Sequence, residues 1–159
     1  MKMLRVLVIV LFLCCICTSC STDTEFQLGI QLGQGACKGI NFYVKDGSIR
    51  AILCDINAVN FQITTIYERS EPRQLSEEEM ETIKEHLQKV KELEGTEFYD
   101  PRIKDRAFMT LYYDDRCYYS DYHAWELSGY PYDDGYEVLN EFADYLVMLM
   151  PEFCTKVNG

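Results

Sequence analysis

Histidine and tryptophan are scarce in this chain of 159 residues: His86 and His123 are its only imidazoles, and Trp125 is its only indole. None of Cys37, Cys54, Cys117 and Cys154 sits in a Cys-x-x-Cys pair or a Cys/His cluster at zinc-ligand spacing, so the sequence assigns no metal site. Basic residues are also few. Fifteen Lys and Arg face 26 Asp and Glu, for a net charge of -11. A field of that sign repels phosphate backbones, which excludes nucleic acid as a partner and favours basic proteins, cationic surfaces and metal ions. No apolar run approaches the roughly 20 residues of a membrane-spanning helix. Gly29, Gly33, Gly35 and Gly39 lack the strand-turn-helix context of a nucleotide fingerprint, and no cofactor is assigned. Ser120, Asp121 and His123 are too close on one strand to converge as a triad, and no nucleophile elbow surrounds the serine. A Cys117-His123 pair has no third group to orient it. The chain is therefore read as non-catalytic.

Apolar residues make up 48% of the chain and charged residues 26%, which excludes wholesale disorder, collagen and low-complexity classes. The N-terminus has a plain pattern. Lys2 and Arg5 precede an apolar run from Val6 to Cys17, then small residues Thr18 and Ser19, then Cys20. This is signal-peptide anatomy over residues 1–19. A small residue directly before a cysteine resembles the lipobox of bacterial lipoproteins, which implies acylation of Cys20 as the new N-terminus. Ile16 is too bulky for Cys17 to serve instead. Ser21 after the cysteine resembles the outer-membrane-directed pattern. That resemblance implies a lipoprotein anchored to the outer membrane of a bacterial envelope, periplasmic or surface-exposed. Several acyl chains on one residue, at about 0.8 kcal/mol per buried methylene, anchor a chain stably. Removing the leader takes 15 basic residues to 13 against 26 acidic ones, a charge of -13. The exported body keeps four cysteines, Cys37, Cys54, Cys117 and Cys154, and an even number in an oxidising compartment predicts disulfides.

Residues 20–36, polar and glycine-containing, read as a tether, and residues 37–159 as one domain. Asp46-Gly47 between GINFYV and SIRAILC predicts a hairpin. Pairing Lys45 with Ser48 sets Val44 opposite Ile49, Phe42 opposite Ala51 and Ile40 opposite Leu53, so the apolar residues share one face. The same register puts Cys54 opposite Gly39, with Cys37 diagonal to it, and favours pairs 37–54 and 117–154. A third strand is expected near 60–68. Ser76 and Glu79 form a capping box, with Leu75 and Met80 as its staple. Met80, Ile83, Leu87, Val90 and Leu93 then line one helical stripe. The acidic residues opposite it read as a solvated face. AFMTLYY and RCYYSDY flank Asp114-Asp115 as a second hairpin, and a helix from about 135 to 150 ends at Pro151. The fold class is α+β: an antiparallel sheet of about five strands in the order β-β-β-α-β-β-α, with two helices packed on it. LSEEEMETIKEHLQKVKEL, YDPRIKDRAFMTLYYDD and SGYPYDDGYEVLNEFADYL together resemble a small domain of uncharacterised bacterial envelope lipoproteins. The resemblance implies fold and location, and supplies no catalytic residue.

The densest anomaly is aromatic: eight of the twelve tyrosines fall between residues 112 and 136. Alternate strand residues face opposite ways, so Tyr112-Tyr113 and Tyr118-Tyr119 must put rings on both sides of the sheet. One set enters the core or stabilises the hairpin as cross-strand pairs; the other is free for binding. Tyr113, Tyr118, Tyr119, Tyr122, Trp125, Tyr130 and Tyr132 form the expected binding surface. The expected partner is an exported protein, a basic one included, bound by an inhibitor or immunity-type domain. The alternatives are a glycan-binding module of the envelope and a purely structural lipoprotein.

Overall fold

The computed structural model describes residues 24–31, 37–56, 63–99, 107–123 and 134–154. The sheet is larger than the sequence predicts. It is built from β1 (Phe26–Gln31), β2 (Cys37–Lys45), β3 (Ser48–Ile56), β4 (Ile63–Arg69), β5 (Arg73–Gln74), β6 (Glu97–Phe98), β7 (Phe108–Tyr113) and β8 (Arg116–Asp121). The helices are α1 (Glu77–Lys91), α2 (Asp134–Leu149) and the single turn α3 (Pro151–Cys154). Strand order is β4-β3-β2-β1-β7-β8-β6, with β5 paired to β3 near the first hairpin turn. All pairings are antiparallel except that of β6 with β8. The α+β class and the packed helix pair are as expected, and the strand count of about five is corrected to eight.

The largest correction is β1. Residues 26–31 are not tether; they form the middle of the sheet, bonded to β2 on one side and β7 on the other. Phe26, Leu28 and Ile30 alternate with Gln27, Gly29 and Gln31, and the apolar set is buried. The period-2 pattern is real but only six residues long, and it contains a glycine of low strand propensity. Strands β5 and β6 are two residues each, too short for any periodicity.

The first hairpin has the predicted register throughout, from Lys45↔Ser48 to Gly39↔Cys54. Asp46 and Gly47 both adopt positive φ, at 50° and 70°, as a type I′ turn requires. Asp114 and Asp115 do the same at 53° and 57° and close the β7-β8 hairpin. The capping box at α1 is complete: Glu79 N–H donates to Ser76 Oγ at 3.1 Å, and Ser76 N–H donates to Glu79 Oε2 at 2.8 Å. Pro151 opens α3, where its missing N–H costs nothing.

Both helices lie on one face of the sheet. Ile83, Leu87 and Val90 of α1, with Leu139, Phe142, Ala143 and Leu146 of α2, join Leu28, Phe42, Ile49, Met109 and Leu111 in one buried cluster. Each fully buried large side chain there contributes about 1.5–3 kcal/mol. His86 of α1 stacks on Phe142 at 5.2 Å and lies 5.5 Å from the ring of Tyr145. Its position beside the apolar stripe becomes half-buried once α2 packs alongside. Among the described residues no helix is long and apolar enough to cross a membrane.

Candidate functional site

With both helices on one side, the sheet has an inner face in the core and an outer face that carries the other half of every strand. The split of the tyrosine pairs follows from this. Tyr113 and Tyr118 point inward and are 7% and 1% exposed, with the Arg116 guanidinium 4.8 Å from the centre of the Tyr118 ring. These two belong to packing, not to the expected binding surface. Tyr112 and Tyr119 occupy the outer face. Tyr112 is 42% exposed; Tyr119 is half-buried against Phe108 at 5.4 Å and Tyr99 at 5.2 Å. Tyr112 was not among the expected surface residues, although the hairpin register decides its face once one neighbour is known to be core.

The register runs continuously across the outer face. One row reads Arg50, Tyr43, Gln27, Tyr112 and Cys117, on β3, β2, β1, β7 and β8. The next reads Arg69, Ile52, Asn41, Gly29, Thr110 and Tyr119, on β4, β3, β2, β1, β7 and β8. A Cβ on Gly29 would sit 2.6 Å from Asn41 Oδ1 and 3.3 Å from Thr110 Oγ1, so only glycine lets its two neighbours close over β1. Asn41 is thereby held in a polar chain. Gln27 Nε2 donates to Asn41 Oδ1 at 3.1 Å, and Asn41 Nδ2 donates to Cys54 Sγ at 3.4 Å.

Electrostatics follow the packing. Burial pushes the Cys54 thiol up, opposed by the hydrogen bond from Asn41. Burial also raises the Tyr43 phenol, Cys54 adds to the rise, and Arg50 and Arg69 pull it back. Tyr112 is raised by burial and by its hydrogen bond with Cys117, its cross-strand neighbour. Cys54 is a buried free thiol and Cys117 an exposed one. Neither expected disulfide engages them in this structure, and the side chains of Cys37 and Cys154 lie outside the described residues.

At the end of β8 a second polar cluster fixes the chain as it leaves the sheet. Buried Asn140 of α2 donates to the Asp121 and Tyr136 carbonyls at 3.0 and 2.9 Å, and its Oδ1 accepts from His123 N–H at 3.0 Å. This grip holds His123 at a φ of 49°. His123 Nε2 then lies 2.8 Å from Asp144 Oδ1, which also accepts from the Tyr122 hydroxyl at 3.0 Å. Ser120 is buried, and its hydroxyl donates to the Phe98 and Asp121 carbonyls. The histidine's carboxylate partner is therefore Asp144, twenty-one residues on, and not the adjacent Asp121. Trp125, Tyr130, Tyr132 and the lipidation residue Cys20 lie outside the described residues. A cavity of about 510 Å³ also opens between α1, β6 and α2, lined by Leu93, Phe98, Gly135 and Val138 and rimmed by Lys89, Glu92 and Glu94.

No protein-family model matches the chain, and no curated protein matches it.

Proposed function

We propose that this chain is an exported, lipid-anchored, non-catalytic domain that binds another envelope macromolecule through the outer face of its sheet. The observation carrying the reading is the row Tyr43, Gln27, Tyr112 on a face that neither helix covers. Rigid tyrosines with a polar tip supply contact area at low entropic cost, and they dominate recognition surfaces. Anchorage rests on the leader and Cys20. An exported protein is the leading partner, recognised in the manner of an inhibitor or immunity protein. A glycan is the second reading, supported by amide and phenol groups alternating in one row.

Cross-linking followed by pull-down of the tagged full chain from its native envelope tests this. The control carries Ala at Tyr43, Tyr112 and Tyr119. A protein partner captured by the wild type and lost from the control supports the proposal. A partner retained by the control contradicts it, and capture of polysaccharide alone selects the second reading.

A further inference from the structure

Positive charge is unevenly used in this acidic chain. Lys45 pairs with Glu25 at 3.2 Å, Arg73 with Glu79 at 3.1 Å, and Lys84 with Glu81 at 3.4 Å. Lys89 pairs with Glu141 at 3.5 Å and Lys91 with Asp114 at 3.8 Å. Arg116 donates to the Gly95 carbonyl at 3.0 Å. Arg50 and Arg69 differ from all of these: both are exposed, and among the described residues neither side chain makes an ion pair or hydrogen bond. Glu71, close in sequence to Arg69, is ion-paired to neither.

The two arginines are neighbours on the outer face. Arg69 stands opposite Ile52, and Arg50 lies two residues from Ile52 on the same strand, opposite Tyr43. Residues directly opposite, and residues two apart on a strand, share a face. Both guanidinium groups are near enough to act on the Tyr43 phenol, and no carboxylate figures among the influences on it. A guanidinium is a planar fork matched to a carboxylate, and two unpaired ones in a chain of charge -11 mark the place where an anion is favoured.

Beside them runs the Tyr43, Gln27, Tyr112 row. Its two phenol rings rise from strands separated by two strand spacings, about 10 Å, the length of a disaccharide. Gln27 spends its Nε2 on Asn41, which leaves Oε1 to accept from a ligand hydroxyl. The geometry points to a binding site for a carboxylate-bearing saccharide, with Arg50 and Arg69 taking the carboxylate and Tyr43 and Tyr112 supporting the sugar rings. An acidic peptide strand fits less well, because strands add to sheet edges and not across a face. The inference rests on the glycan reading of the binding domain above and names the ligand class for its face.

The test is calorimetric titration of the full chain, in detergent, with tetragalacturonate, with the neutral tetrasaccharide maltotetraose and with a tetraglutamate peptide. Tetragalacturonate is expected to bind, with affinity that falls as salt rises. Arg50→Gln with Arg69→Gln should weaken it at least tenfold, and Tyr112→Ala should do the same. Both are exposed changes, and circular dichroism checks the fold. Arg50→Lys with Arg69→Lys should recover part of the affinity, because charge is kept while the fork is lost. Equal binding of the neutral sugar, tighter binding of the peptide, or no response to the arginine changes overturns the inference. No saccharide binding, with a protein still captured through Tyr43 and Tyr112, overturns the inference while leaving the binding-domain reading intact.

Discussion

Arg50 lies directly opposite Tyr43 across the β2-β3 ladder, on the face turned away from both helices. The pair defines one end of an outward-facing row that crosses five strands and includes exposed Tyr112. The apolar residues on the other face of the same strands form the core. Residues that are adjacent in sequence therefore meet sharply different demands.

Tyr112 and Tyr118 should behave oppositely although both come from the same hairpin. Tyr118→Ala removes a ring that is 1% exposed and should cost about 3–5 kcal/mol. Tyr112→Ala loses at most a cross-strand contact and should cost less than about 1 kcal/mol. Urea denaturation of both variants gives the comparison. Equal losses would mean that the faces have been assigned wrongly.

Gly29→Ala should destabilise the domain by about 1–3 kcal/mol, because the new methyl overlaps a side chain that is itself bonded on both sides. Asn41 can yield only by releasing Gln27 or Cys54. The Cys54 thiol, fully buried in the parent, should then react faster with a small alkylating reagent. An unchanged alkylation rate would show that Asn41 does not guard it.

Asn140→Ala removes two hydrogen bonds that tie α2 to the end of β8, and a third to the Tyr136 carbonyl within α2. The His123 N–H loses its acceptor, at a cost of about 1–3 kcal/mol where it is left buried and unsatisfied, whereas the Asp121 carbonyl keeps the Ser120 hydroxyl. Amide hydrogen exchange at His123 should quicken in the variant. An exchange rate like that of the parent would place the anchor of the β8 end elsewhere.

His86 supplies a pH dependence. Burial depresses its pKa, Lys89 lowers it further, and Glu141 and Glu85 oppose the shift. The unfolded chain, with an ordinary value of about 6.5, binds a proton first as pH falls. Stability present above that value is therefore lost as pH drops through it toward the folded pKa. Denaturation between pH 8 and pH 5 should show this fall in the parent and a shallower one in His86→Gln. Identical pH slopes would remove His86 from the account.

Much of this was legible in the residues. Asp46-Gly47 with Lys45 and Ser48 set the first hairpin, and Ser76 with Glu79 set the start of α1, because turn and cap chemistry are local. Alternation required the tyrosine pairs to divide between faces. It could not say which member went inward, since that depends on which face the helices cover. Strand β1 was hidden by Gly29, a poor strand former needed for the close approach of Asn41 and Thr110. Strand β6 exists through tertiary bonds such as Tyr119 N–H to the Thr96 carbonyl at 2.7 Å, and no two-residue pattern announces it. The Arg50, Tyr43, Tyr112 row needed β1 in its place before its parts could be joined.

The most direct measurement compares photo-cross-linking from the two sides of the domain. A benzoylphenylalanine at position 112 reports on the outer face. The same residue at position 148, where Met148 is 62% exposed on α2, reports on the helix layer. The account predicts envelope adducts from position 112 and none from position 148. Adducts from position 148 alone would contradict it.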